Sequence, residues 1–224
     1  MHTGIGRIAE LILEDESRYA HISCPEALVP GPGQYVLASH HSDSYLPVSI
    51  FHTDLAPQGF MGPAPQSWKP GDVLRLRGPL GRGFSLHLSA RRVGLLAFDG
   101  PPSYLRGLIR PSLRQGASVV LLCDSSADHL PDEVEVLPVS ALGEIVQWAD
   151  FIALDVTREQ LKELKETLGK WSTRSRSPLA ATQVLVRTPM PCGGVADCGI
   201  CALTTGSEWK MICKDGPVFD WREI

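Results

Sequence analysis

Residues 190–219 read MPCGGVADCGICALTTGSEWKMICKDGPVF and hold four of the six cysteines of this 224-residue chain: Cys192, Cys198, Cys201 and Cys213. Five residues separate the first two, two separate the second and third, and eleven precede the fourth. A tight loop of three thiolates with one distant partner is the ligand pattern of a plant-type [2Fe–2S] centre, here with one residue more than usual between the first two. Gly193, Gly194 and Gly199 carry no Cβ, so the loop can take positive φ and curl around a small inorganic core. Such a curl turns backbone N–H groups inward as a nest for an anion, and N–H bonds to sulfur tune a cluster's potential. Zinc ribbons bring two Cys-x-x-Cys knuckles, and this chain has one, Cys198-Gly199-Ile200-Cys201. A [4Fe–4S] run would space its cysteines by two, two and three and end in Pro, which these do not. Iron–sulfur is the preferred assignment, with zinc kept as the alternative.

The rest of the composition bounds the reading. At 43% hydrophobic and 21% charged, the chain can bury a real core and is not a disordered one. A formal charge of −4 gives no basic field to hold nucleic acid. No segment approaches the ~18 uninterrupted apolar residues that span a bilayer. The opening MHTGIGRIAELILEDE lacks a long apolar core and turns acidic by Glu14, so it does not read as a secretory signal. A cytoplasmic chain with reduced thiols is expected, where clustered cysteines mean metal or redox chemistry rather than disulfides. Cys24 and Cys123 lie outside the cluster, and Cys123, closing Val119-Val120-Leu121-Leu122, reads as a buried inert thiol.

The expected architecture is an α+β multidomain chain. Residues 1–88 read as an antiparallel β-barrel, with short apolar runs cut by Gly and Pro at close intervals. Val73-Leu74-Arg75-Leu76-Arg77 alternates as a half-buried strand should. Residues 89–182 read as a Rossmann-like α/β domain. Its strands are placed at 93–98, 118–123, 134–137 and 151–154, with a short helix within 102–113. A helix over 158–168 is signalled by Thr157 and Gln160 as a capping box, by Leu161, Leu164 and Leu168 at helical spacing, and by Gly169 as a stop. Residues 170–176 read as a solvated linker. Residues 183–224 form a small [2Fe–2S] domain, with a strand at 183–187 and a hairpin over 202–211 turning at Thr204-Thr205-Gly206-Ser207. Trp209 and Trp221 flank the cluster and read as core or interface packing, with aromatic cover of the cluster as the alternative. His40, His41, His52 and His87 stand at no ligand spacing and read as solvated loop histidines.

The C-terminal stretch resembles the iron–sulfur, FAD-binding electron transfer subunit of class B dihydroorotate dehydrogenase. The resemblance lies in the Met-x-Cys-Gly opening, the Cys-x-x-Cys and the tail Cys213-Lys214-Asp215-Gly216-Pro217-Val218-Phe219. It extends more faintly to Pro32-Gly33-Gln34-Tyr35-Val36, Tyr45-Leu46-Pro47-Val48-Ser49-Ile50 and Gly78-Pro79-Leu80-Gly81-Arg82-Gly83-Phe84, which are similar to flavin-domain motifs of ferredoxin-reductase-like proteins. The resemblance implies a cluster on Cys192, Cys198, Cys201 and Cys213, and FAD against Pro47, Val48 and Ser49. It also implies a hetero-oligomer with an FMN-containing catalytic subunit in pyrimidine biosynthesis, with electrons passing on to NAD.

Two departures bear on the nucleotides. Leu46 and Tyr45 stand where the family places arginines toward the flavin pyrophosphate, and Pro63 and Pro65 remove N–H donors from the later phosphate loop. FAD is therefore left open, with Ser67 as a weak stand-in hydroxyl. Phe98-Asp99-Gly100-Pro101-Pro102-Ser103 replaces a Gly-rich turn, and Leu154-Asp155-Val156 replaces a Cys-Gly-Pro signature, so NAD(P) is not expected to bind. The expected role is a [2Fe–2S] relay between a flavin partner and another acceptor. The alternatives are an FAD-binding subunit passing electrons to NAD and a non-catalytic, zinc-stabilised assembly module.

Overall fold

The computed structural model describes residues 1–14, 17–40, 46–172, 181–205 and 208–224, with the backbone alone at 170–172. It divides into two compact units, Met1–Gly83 with Pro189–Pro217, and Phe84–Thr188 with Val218–Ile224.

The first unit is built on β1 (His2–Glu14), β2 (Ser17–Ser23), β3 (Tyr35–His40), β4 (Val48–Phe51), β5 (Asp54–Ala56), β6 (Gly59–Pro63) and β7 (Val73–Leu80). They form one antiparallel sheet in the order β4-β3-β7-β1-β2-β6-β5. β4 and β5 occupy opposite edges yet are joined by only His52 and Thr53. So short a link forces the sheet to curl and bring its edges together as a half-barrel, and Thr53 N–H, donating to Met61 O at 2.9 Å, extends the β5–β6 ladder into the link. Alternation decides what fills it. Val36, Ala38, Ile50, Leu74 and Leu76 point into a core with Ile8, Ile22, Phe60 and Trp68. Their neighbours Leu37, Arg75 and Arg77 line a cavity on the other face.

The second unit contains β8 (Arg92–Ala97), α1 (Arg106–Arg114), β9 (Ser118–Leu122), β10 (Val134–Leu137), α2 (Leu142–Trp148), β11 (Phe151–Thr157), α3 (Leu161–Ser172) and β12 (Ala181–Arg187). Its sheet runs β10-β9-β8-β11-β12, all parallel, with a short antiparallel strand added beyond β12. This is a Rossmann-like order, and it reverses direction between β8 and β11. Val93, Leu95, Val119 and Leu121 pack with Leu108 and Ile109 of α1. On the opposite face, Gly94 makes room for Ile145 of α2, whose Cγ2 would lie 2.7 Å from a Cβ there.

Four local expectations are corrected. The capping box does not form: Thr157 ends β11 and turns its hydroxyl to Asp99, and the helix begins at Leu161. The helix passes Gly169 and ends at Ser172, so the first residues of the expected linker are helical, while 173–180 lie outside the described residues. His52 is buried, with 1% of its surface exposed, because it sits in the seam where the sheet edges meet. Trp209 is 70% exposed and packs into no core. Tyr45, His41 and the hairpin residues Gly206 and Ser207 lie outside the described residues.

Candidate metal centre

Three of the stretches singled out in the sequence meet in the first unit. The Gln34 side chain donates to Gly81 O at 3.0 Å, and Arg82 N–H donates to Gly216 O at 2.6 Å. The turns of Pro32-Gly33-Gln34, Gly78-Pro79-Leu80-Gly81 and Lys214-Asp215-Gly216-Pro217 are thus tied into one seat. On it lie the cysteine loop, the hairpin β13 (Ala202–Thr205) and β14 (Glu208–Met211), and a single helical turn, α4 (Ile212–Asp215). Asp215 accepts from Met211 N–H at 2.7 Å, tying the end of that turn back to its start, so Cys213 is held between them. Ile212 N–H donates to Cys201 O at 3.0 Å, which draws the Cys-x-x-Cys knuckle against Cys213. The chain then leaves through β15 (Val218–Asp220), which pairs with β12 in the second unit.

All six cysteines are free thiols, and the four in question come together. Burial opposes ionisation of Cys192. Hydrogen bonds from the Cys198 thiol and from the backbone N–H groups of Cys198, Ala196 and Asp197 outweigh that effect and bring the thiol down to about 6. Burial, a hydrogen bond with Cys201 and the charges of Cys201 and Cys192 push Cys213 up to about 12, against a donor from Ala196 N–H. Cys192 thus interacts with Cys198, and Cys213 with both Cys201 and Cys192, while Ala196 N–H serves Cys192 and Cys213 alike. Among the described residues no group of three or more His, Cys, Asp or Glu is placed to hold one metal ion. Gly193, Gly194 and Gly199 all adopt positive φ, between 68° and 79°, as does Ala196 at 65°, so the loop curls back on itself; Ala196 N–H turns to sulfur, whereas Gly193 N–H donates to Met190 O at 3.2 Å.

The barrel supplies the floor. The Tyr35 hydroxyl donates to Cys213 O at 3.1 Å, and the Arg77 guanidinium donates to Gly193 O. Burial, then the nearby sulfurs of Cys213, Cys201 and Cys192, hold the Tyr35 hydroxyl protonated well above its usual range, with Arg77 opposing. Neither Tyr35 nor Arg77 was singled out as a site residue in the sequence. The only available signal was their place on β3 and β7, facing away from the barrel core.

A cavity of about 570 Å³ opens beside the cysteines, bordered by Leu37, Pro47, Arg75, Arg77, Cys192 and Gly193. Pro47 is thus brought to the cluster loop, while Val48 and Ser49 continue as the half-buried edge strand β4. Leu46 is 56% exposed and supplies no charge. The segment that would cradle a phosphate does something else. Trp68 is driven fully into the barrel core, and Pro65 O and Trp68 O turn toward the Arg18 guanidinium. Those contacts present carbonyl oxygens rather than N–H donors, so that segment does not fit a pyrophosphate. The cavity at Pro47, with two arginines at its border, does fit an anionic ligand with a flat apolar body.

The fold is that of ferredoxin-reductase-like proteins. The chain superposes on an NADH-dependent reduced ferredoxin–NADP oxidoreductase of flavin-based electron bifurcation with a TM-score of 0.74 at 17% identity, covering 98% of this chain and 89% of that one. A ferredoxin NADP⁺ reductase from Neisseria gonorrhoeae superposes with a TM-score of 0.55 at 13% identity, over 83% of this chain and 98% of the other.

Residues 188–224 match the iron–sulfur cluster binding domain of dihydroorotate dehydrogenase B. Sulfhydrogenase 1 subunit gamma of Pyrococcus furiosus is 25% identical over 240 aligned positions, covering 86% of this chain and 80% of the relative. These likenesses show the resemblance read from the sequence, to an iron–sulfur/FAD electron transfer subunit of the dihydroorotate dehydrogenase B type. No helix among the described residues is long and apolar enough to cross a membrane.

Proposed function

We propose that this chain is an electron-transfer subunit whose [2Fe–2S] cluster, held by Cys192, Cys198, Cys201 and Cys213, relays single electrons between a flavin-bearing catalytic partner and a further acceptor. The observation that carries the reading is the curled segment: Gly193, Gly194, Ala196 and Gly199 all take positive φ, and the Ile212 N–H bond to Cys201 O draws the Cys-x-x-Cys knuckle against Cys213. Four cysteines with a single Cys-x-x-Cys knuckle suit a two-iron centre better than a zinc ribbon, which brings two knuckles. When bound, the cluster supplies a one-electron redox couple. The chain's own residues set its surroundings: the N–H groups of Ala196, Asp197 and Cys198 stabilise negative sulfur, and the buried Cys201 and Cys213 keep one side dry.

The cavity beside Cys192 favours FAD as a second cofactor. Pro47, Val48 and Ser49 would form its edge, and Arg75 and Arg77 would meet its phosphate oxygens in place of the missing charge at Leu46. A flavin there would lie next to a cluster ligand. The match to the dihydroorotate dehydrogenase B domain and the likeness to a hydrogenase subunit support a hetero-oligomer with a catalytic subunit. Pyrimidine biosynthesis is one setting for such a complex.

Dithionite reduction followed by mixing with a one-electron acceptor tests the relay. The expected result is a bleached visible band that recovers on mixing, together with a yellow chromophore released by acid. The zinc-stabilised module is the answer instead if the protein shows neither band nor bleaching.

A further inference from the structure

An open parallel sheet binds ligands outside the carboxyl ends of its strands, where strand order reverses. Here that point lies between β8 and β11. Three side chains from the ends of three strands close on one another there. Asp99 follows β8, Asp155 lies in β11, and Arg187 is the last residue of β12. The Arg187 Nε donates to Asp155 Oδ1 at 2.6 Å, and its Nη2 donates to Asp99 Oδ1 at 2.8 Å. Asp99 also accepts from Thr157 N–H, at 3.0 Å to Oδ2, and from the Thr157 hydroxyl. The guanidinium lies 4.9 Å from the Tyr104 ring centroid. Little of this is wet: the side chains of Arg187, Asp99 and Asp155 are 18%, 13% and 0% exposed.

Two groups that a dinucleotide phosphate would use, the Arg187 fork and Thr157 N–H, are already engaged. An Arg fork and a backbone N–H at a strand end are what a diphosphate seeks, and the Asp99 carboxylate takes both. The network holds two carboxylates against one guanidinium, so an arriving phosphate meets net negative charge at short range. Pro101 and Pro102, next along the chain, have no N–H to offer.

We propose that Asp99 is an internal anion that closes this crevice: it occupies the phosphate position on Arg187 and Thr157, and so excludes pyridine nucleotides from the second unit. The sheet then serves as a scaffold that carries β12 and β15, the strands entering and leaving the cysteine segment. Electrons arriving at this chain leave by a route other than a nicotinamide bound here. The reading is independent of the cluster, since none of its residues is a cysteine ligand.

The test is calorimetric titration of the full chain with NADH and, separately, with inorganic pyrophosphate. The wild-type protein is expected to show no saturable binding of either. Asp99→Ser frees Arg187 and Thr157 and is expected to bind pyrophosphate at least about tenfold more tightly, the scale of one freed charge pair, with the gain lost on raising the salt. Asp99→Asn keeps the shape and removes only the charge, so it serves if Asp99→Ser does not fold. Micromolar NADH binding by the wild type overturns the proposal outright. A folded Asp99→Ser or Asp99→Asn protein that takes pyrophosphate no better than wild type also overturns it.

Discussion

The cysteine segment and the crevice at the ends of β8, β11 and β12 solve opposite problems with the same parts. Both gather charged or polarisable groups where backbone N–H donors are exposed. In the segment, the N–H groups of Ala196, Asp197 and Cys198 turn to the Cys192 sulfur, and on the function proposed above the balancing charge comes from a bound metal core rather than from the chain. In the crevice, Thr157 N–H and Arg187 find their anion in Asp99 and Asp155 from the same chain. Whether a polar constellation is a binding site thus depends on whether its charge is balanced internally, not on how polar it is.

The largest expected effect breaks the first half of that comparison. Cys201→Ser or Cys213→Ser removes one buried ligand and should strip roughly all of the cluster iron and sulfide, because structural metal binding and local folding are coupled. Cys24→Ser, outside the segment, should leave the iron content unchanged. Equal iron loss in all three would show that the segment is not the site.

The second half is broken by Arg187→Ala, which leaves Asp155 buried with no cation. Urea denaturation should show a loss of about 3–5 kcal/mol, the usual cost of orphaning a buried charge. A loss below about 1 kcal/mol would mean that Asp155 has simply taken a proton. Burial pushes its carboxyl up to about 6, against the pull of Arg187, so protonation is within reach.

His52 offers a smaller and pH-dependent contrast, a polar group balanced by nothing. Neither ring nitrogen has a partner among the described residues, and burial lowers its pKa from 6.5 to about 4, with Asp54 opposing. Between those values the unfolded chain takes a proton that the folded chain refuses. The stability tied to neutral His52 is therefore full above pH 6.5 and is lost as pH falls toward 4. His52→Leu should remove that loss, so its advantage in thermal unfolding grows from pH 7 to pH 4 and reaches about 3 kcal/mol. A constant difference across that range would show that the ring finds a partner in solution.

The smallest effect sharpens the segment itself. Gly199 has φ of 69° with open space around it, so Gly199→Ala should cost only the strain of that backbone, roughly 1–2 kcal/mol. Gly193 has φ of 68°, and a Cβ there would lie 2.8 Å from Leu37 Cδ1 and 3.1 Å from Arg77 Nη2. Gly193→Ala should cost more and also loosen the cluster, read as faster bleaching in air.

What was legible in the sequence follows from where the signals sit. Strand β10 was placed at 134–137 because its apolar run is isolated by turn residues, and Leu161, Leu164 and Leu168 marked the buried face of α3. Helix α2 was missed because Leu142–Trp148 is too short to repeat its pattern. Strand β15 was missed because its three residues mean nothing until β12 offers an edge. The capping box misled because Thr157 has a stronger acceptor in Asp99, 58 residues away. The same distance effect separates the two sites. The four cysteines declare themselves by spacing within 22 residues, whereas Arg187 lies 32 residues from Asp155 and 88 from Asp99. Only the sheet brings those three together.

The central claim is that Cys192, Cys198, Cys201 and Cys213 hold a [2Fe–2S] cluster. Chemical assay of iron, acid-labile sulfide and zinc on the full chain, purified under strict exclusion of oxygen, tests it most directly. The account predicts iron and sulfide in equal amounts, near two of each per chain, and no zinc. One zinc per chain with neither iron nor sulfide would contradict it.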